Sequence, residues 1–303
     1  AIKERYGLDL TIIHDEYDPT FSFMTYDHDG KVRMDCSSPY VMESVINRIG
    51  DFDLAVGNDP DYDRYGIVIS SGLVSANSFL TMAARYLFTT RGWKNKGIGK
   101  TVVCTTMIDK WAAGVEIPVF EVPVGFKYFS QLLFDGVIGI GGEESAGASF
   151  LKKDGTVWTT DKDGIIMALL GMEIIAVMGK STLKMADDFA ENYGEPRFGR
   201  IDAPCKKEQK QILKQLSAEL ITATSVDGDP ITGIRTTSMY NNMPIDGVRV
   251  ETDKGWFVAR PSGTEDLYKI YGESYKGDLG LVALLTAGEE IVNAALNGKI
   301  DAE

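Results

Sequence analysis

From Asn77 to Met178, short apolar runs alternate with stretches of helical periodicity, and this alternation restricts the fold more than any other feature of the chain. Asn77 can cap a helix carrying Phe79, Leu80, Ala83, Tyr86 and Leu87 on one face. Val102 to Thr105 then reads as a strand, Met107 to Ala113 as a helix and Val119 to Val122 as a strand. Lys127 to Phe134 is again helical, and Val137 to Ile140 is a buried strand. Helices over Asp163 to Met178 and Ser181 to Tyr193 close the unit. Strands separated by helices cannot be joined as hairpins. The expected fold is therefore α/β, a mixed or largely parallel sheet domain with helices on both faces.

The flanks differ from this centre. Leu8 to His14 alternates well enough for a strand. Ser38-Pro39 offers an N-cap and a first-turn proline for a helix with Met42, Val45, Ile46 and Ile49. Strands follow at Leu54 to Val56 and Ile67 to Ile69, so residues 1–69 read as a partial α/β domain. The chain starts at Ala1 inside what reads as a running helix, which sets the expectation of a shortened chain. Gly194-Glu195-Pro196 reads as a linker. Beyond it come a strand at Arg200 to Asp202 and an amphipathic helix from Lys206 to Glu219. Short strands with turns at Asp227-Gly228 and Asp246-Gly247 lead to a last helix, Leu279 to Leu296. That order suits a small α+β domain, giving expected units of 1–69, 70–195 and 196–303.

A net charge of -13 argues against a nucleic-acid partner, which demands a basic face. Cys36, Cys104 and Cys205 are far apart and form no CxxC pair, which suits a reducing cytoplasm. The apolar segment Ile165 to Met178 is interrupted by Glu173 and is too short to span a bilayer.

Chemistry gathers in three polar loops. Asp59, Asp61 and Asp63 stand on alternate residues between two apolar runs, with Arg64 next. Carboxylates so close repel one another unless a cation lies among them, and a hard divalent ion such as Mg2+ takes oxygen ligands. Arg64 offers a donor fork suited to phosphate. The competing reading is a polar turn, since Asn, Asp, Pro and Gly favour loops. An EF-hand is excluded, because its sixth and twelfth positions would hold Arg64 and Ser70. An Asp-nucleophile phosphatase and a nucleotide-sugar glycosyltransferase stay open. In the second loop, Gly141-Gly142 runs into Glu143-Glu144-Ser145-Ala146-Gly147, either a sugar-hydroxyl grip or an ordinary turn. The third, Arg260-Pro261-Ser262-Gly263-Thr264-Glu265, is either an anion nest or a hairpin turn with an arginine salt bridge. Gly97-Ile98-Gly99-Lys100-Thr101 is not a P-loop, because Lys94 holds the required earlier glycine position.

Taken together and in order, GNDPDYDR, GEESAGASF and GWFVARPSGTED, with EVPVGFK and TDKDGI, resemble the α-D-phosphohexomutase superfamily, most of all its bacterial members acting on glucose phosphates. The resemblance runs along essentially the whole chain. It implies the end of a second domain with the metal loop, a third domain with the sugar loop and a fourth with the phosphate loop. It implies that Asp59, Asp61 and Asp63 hold Mg2+ beside Arg64, and that Glu143 and Ser145 grip sugar hydroxyls. Arg260, Ser262, Gly263 and Thr264 would cradle the resting phosphate of a hexose phosphate. Gly125 to Lys127 would sense the sugar's orientation, and Lys162 would face the pocket. Pro60 and Tyr62 depart from the family's glycine-rich metal loop, His14 and His28 fall in no motif, and nothing resembles its phosphoserine loop of T-A-S-H-N-P type. The implied activity is interconversion of glucose 1-phosphate and glucose 6-phosphate through a bisphosphate, with this chain inactive alone. A non-catalytic sugar-phosphate binding module, or a phosphatase built on Asp59, are the alternatives.

Overall fold

The chain builds three sheets in succession, described by a computed structural model for residues 2–179 and 189–298. Short helices α1 (Ile2–Tyr6) and α2 (Glu43–Ile46) precede the first sheet. That sheet holds β1 (Ala55–Asn58), β2 (Tyr65–Ile69) and β3 (Gly72–Val74), antiparallel throughout, and β3 carries it past residue 69. The strand expected over Leu8 to His14 does not form. Leu10 N–H bonds back to the Leu8 carbonyl in a local turn, and the segment lines a groove of about 480 Å³ beside β1. The helix expected from Ser38 shrinks to α2 and a 3-10 turn at Ile49–Asp51. Met42, at the N-cap of α2, is buried with its side chain against Gly57 and Gly66.

The second sheet is the expected parallel unit. Strand order is β5-β4-β6-β7, with β5 (Val119–Val122), β4 (Gly97–Thr101) and β6 (Ile138–Gly142) parallel and β7 (Ala148–Phe150) antiparallel on the edge. Helix α3 (Ala76–Thr90) and α4 (Met107–Gly114) pack their Leu80 and Ile108 with Ile98 and Ile140. Helix α5 (Lys127–Phe134) puts Phe129 and Leu133 against Val122 and Ile138, so both faces are covered. Helix α6 (Gly164–Met178) adds Met167 and Ile174 to the larger core. The cap of α3 is Ser75, whose Oγ accepts Ser78 N–H at 3.1 Å. Asn77 is buried inside the helix and takes Thr105 N–H instead. The strand expected over Val102 to Thr105 does not form there; β4 ends at Thr101, just before it. Gly97 and Gly99 sit under Phe120, Phe129 and Ile138, where a side chain could not fit, so the stretch rejected as a P-loop is β4. Of the helix expected over Ser181 to Tyr193, residues 189–193 are helical and the earlier part lies outside the described residues.

The third sheet is antiparallel, in the order β8-β13-β12-β11-β10-β9. Its strands are β8 (Arg197–Pro204), β9 (Ser225–Val226), β10 (Asp229–Thr237), β11 (Pro244–Thr252), β12 (Gly255–Pro261) and β13 (Leu267–Ser274). The amphipathic helix α7 (Lys207–Lys214) ends earlier than expected, and a 3-10 turn at Ala218–Leu220 follows. Asp227-Gly228 is the turn between β9 and β10, both residues at positive φ (51° and 78°), as a two-residue hairpin favours. Asp246-Gly247 is not a turn but an irregularity inside β11: Asp246 has φ 55°, and Gly247 passes so close to the Ala259 carbonyl that only glycine fits. Helix α8 (Gly277–Leu296) is long and apolar enough to cross a membrane, yet it lies on this sheet with Leu284 and Val292 buried and Gly288 against Ile270 and Phe257.

The second and third sheets meet at a seam. Val102 and Val103, just past β4, pack on Ile245, Trp256, Val258 and Tyr271. This explains the misplaced strand: their burial comes from packing on the third sheet, not from strand pairing of their own. Arg249 and Glu273 are both buried in the seam. Arg249 lies over the Trp256 ring (4.1 Å to its centroid) and donates to the Val102 carbonyl; Glu273 accepts Thr106 N–H at 2.9 Å, Trp256 Nε1–H at 3.0 Å and the Thr106 hydroxyl.

Candidate functional site

The acidic loop joins β1 to β2 in a tight bend. Tyr62 takes φ 57° and its N–H bonds the Asp59 carbonyl at 2.9 Å, while Asn58 Nδ2 donates to the Arg64 carbonyl at 2.8 Å. Arg64 folds back on Asp59: its backbone N–H meets Oδ1 at 3.1 Å and its Nε–H meets Oδ2 at 2.8 Å. Burial alone would raise the Asp59 carboxyl, but these bonds and the Arg64 charge hold it below the usual range. Asp63 lies 2.7 Å from Lys162 Nζ, and that ion pair raises the Lys162 ammonium against the effect of burial. Asp61 is exposed. Among the described residues no group of three acids is arranged to hold a metal ion. By donor chemistry the loop still fits Mg2+, since it offers only carboxylate oxygens; in this arrangement Arg64 and Lys162 supply the positive charge.

The Glu-rich loop joins β6 to β7 and closes on itself, with Glu143 N–H bonding the Gly147 carbonyl at 2.8 Å and Ala146 at φ 66°. It docks directly on the acidic loop: Arg64 and Gly147 form an antiparallel bridge, and Tyr65 N–H donates to the Ala146 carbonyl at 3.1 Å. The Gly164 N–H bonds the Tyr62 carbonyl at 2.9 Å, tying the start of α6 to the same place. Gly147 leaves room for the Lys162 side chain to cross and reach Asp63. Glu143 is buried, and that burial together with the nearby Glu144 pushes its carboxyl up to about 7, despite Lys162 and the Gly125 N–H. Ser145 is half-buried at the bend.

The third loop joins β12 to β13. Ser262 N–H bonds the Leu267 carbonyl at 2.8 Å and its Oγ accepts Glu265 N–H at 3.2 Å, closing a bend with Gly263 and Thr264 exposed at the tip. Arg260 Nε donates to the Ile245 carbonyl at 3.3 Å. Glu144, whose Oε2 accepts the Thr101 hydroxyl at 3.2 Å, feels the charges of both Arg200 and Arg260 across the seam. Burial raises its carboxyl.

The fold thus brings Asp59, Asp63, Arg64, Gly125, Glu143 and Lys162 together, and electrostatics link the Arg260 loop to them through Glu144. Lys127 stands apart: it is exposed, with its ammonium 5.1 Å from the centroid of the Tyr128 ring. His14 stacks on Phe23 and His28 pairs with Asp27, in the segment before α2. Arg200 and Asn58 were not singled out by sequence. Asn58 could have been, since a residue flanking three acids has few roles other than bracing them.

Residues 75–193 match the family described as phosphoglucomutase/phosphomannomutase, alpha/beta/alpha domain III, and residues 202–280 match its C-terminal domain. A phosphoglucomutase of Komagataeibacter xylinus is 48% identical over 296 residues, 97% of this chain and 53% of that protein. Phosphoglucomutase-like protein 5 of Rattus norvegicus is 27% identical over 76% of this chain and 43% of its own length. The chain spans about half the length of these curated relatives. The crystal structure of a phosphoglucomutase/phosphomannomutase family protein from Burkholderia thailandensis superposes with a TM-score of 0.65 at 20% identity, over 89% of this chain and 53% of that one, a likeness of fold. On the two matched domains and the identity along nearly its whole length, the chain belongs to the phosphoglucomutase/phosphomannomutase family.

Proposed function

We propose that the chain provides the sugar- and phosphate-gripping part of a phosphoglucomutase, which interconverts α-D-glucose 1-phosphate and glucose 6-phosphate. The observation that carries this reading is the 48% identity to the Komagataeibacter xylinus enzyme over 97% of the chain. The bridge between Arg64 and Gly147, which sets the acidic loop against the Glu143 loop, supports it. In this reading residues 1–69 end a second domain, 70–195 form a third and 196–303 a fourth.

Asp59, Asp61 and Asp63 would hold Mg2+, which when bound offsets charge on a phosphoryl group. Glu143, fixed by the Gly125 N–H, and Ser145 orient the hexose through its hydroxyls. Arg260, Ser262, Gly263 and Thr264 anchor the phosphate that does not react. Lys162, already pointing at Asp63, and Arg64 are the cations beside the reacting phosphate. Lys127 joins them only if its ammonium leaves the Tyr128 ring. An aspartyl nucleophile at Asp59 is disfavoured, because Arg64 hydrogen-bonds both of its oxygens. Three buried free cysteines accord with a cytoplasmic setting.

The phosphoryl donor in this reading is a phosphoserine on a loop absent from this sequence, and glucose 1,6-bisphosphate turns over within the cleft. The isolated 303-residue chain is then expected to bind hexose phosphates and to give no turnover. A coupled assay for glucose 6-phosphate, supplied with glucose 1-phosphate, glucose 1,6-bisphosphate and Mg2+, tests this. Sustained product formation by the chain would overturn the need for an external donor.

A further inference from the structure

Glu121, on β5, is buried in the seam and has no part in the chemistry above. A carboxylate is stable there only where donors meet it, and these come from the third sheet. Arg235 donates from Nη1 and Nη2 to its two oxygens at 2.6 and 2.8 Å, a bidentate fork. Met239 N–H adds a bond to Oε1 at 3.2 Å, and Tyr240 N–H donates to the Glu121 carbonyl at 3.1 Å. Phe120 meets the Tyr240 ring edge-on, 4.7 Å between centroids. Burial would raise the Glu121 carboxyl, yet the Arg235 fork and the charges of Lys100 and Arg249 hold it below its ordinary value.

Together these contacts fasten the hairpin between β10 and β11 onto β5. The same hairpin leads into Ile245, whose carbonyl accepts Arg260 Nε. In the other direction the chain leaves β5 and reaches Gly125, whose backbone N–H acts on the Glu143 carboxyl and lowers it. Hydrogen bonds and chain thus run from the phosphate loop through Ile245 and the hairpin to Glu121, and the chain continues from there to Gly125 beside the sugar loop.

We propose that Glu121 is a positioning residue that sets the separation of the Glu143 and Arg260 loops so that both grip one hexose bisphosphate. This role rests on the sugar-phosphate reading of the cleft. A ligand that spans both loops feels an error in their spacing, whereas inorganic phosphate, held at one loop at a time, does not.

The test titrates the 303-residue chain with glucose 1,6-bisphosphate and, separately, with inorganic phosphate, followed by 31P NMR. E121Q is expected to weaken bisphosphate binding about tenfold, on the order of one charge-assisted hydrogen bond, and to leave phosphate binding unchanged. R260Q is expected to weaken both. The positioning role is overturned if E121Q binds bisphosphate as tightly as the unaltered chain, or if it loses both probes equally. Because Glu121 neutralises a half-buried arginine, E121Q could fail to melt cooperatively; the pair E121Q/R235Q, which removes both charges, then takes its place under the same criteria. An unaltered chain that binds phosphate but no bisphosphate would overturn the cleft reading and this role with it.

Discussion

Glu143 shows how much a side chain's chemistry depends on where it is put. Its carboxyl, ordinarily near 4.5, is pushed up to about 7 by burial and by Glu144. Between those values the unfolded chain has released the proton while the folded chain keeps it, so the folded state binds more protons and stability falls as pH rises. Glu144, half-buried beside it, is shifted in the same direction and adds to the slope. Thermal midpoints are therefore expected to decline from pH 5 to pH 7, and E143Q to flatten that decline; an unaltered slope in E143Q would refute the assignment. Asp59 and Asp63 carry the opposite lesson. Each already has a cationic partner, at 2.8 Å from Arg64 and 2.7 Å from Lys162, so Mg2+ must displace existing ion pairs without help from a phosphate ligand. Weak, millimolar binding is expected by calorimetry, and tight stoichiometric binding would contradict it.

Among the elements, the start of α6 matters most to the cleft. Asp163 caps it by accepting the Ile165 and Ile166 N–H groups, and Gly164 lies against the Arg64 carbonyl with no space for a Cβ. G164A must push α6 away from the acidic loop. We expect a loss of about 2 kcal/mol of stability, by analogy with overpacked sites, together with a loss of hexose-phosphate affinity, read from chemical denaturation and ligand titration. A fully stable, fully binding G164A would show that the contact is not needed. Helices and strands with strong local signals, such as α5 over Lys127–Phe134 and β5 over Val119–Val122, were legible in sequence to the residue. What escaped was everything fixed by distant partners. Val102 and Val103 look like a strand because the third sheet covers them, and Asp246-Gly247 looks like a turn because a strand irregularity demands the same residues. The three loops were legible as motifs, but the bridge from Arg64 to Gly147 was not, since nothing local in either loop encodes it.

At the scale of the whole molecule, an acidic chain of net charge -13 draws arginines and lysines to the places where its domains and loops meet. Arg64 and Lys162 serve the acidic loop, Arg200 and Arg260 face Glu144, and Arg235 closes on Glu121. The guanidinium of Arg249 and the carboxylate of Glu273 go further, because each is walled in by residues from both sides of the seam. Parting the two sides of the seam would expose both charges and take the Val102 carbonyl from Arg249 and the Thr106 donors from Glu273. An exchange between relatives of one side of the seam without the other is expected to lower stability at these two buried charges.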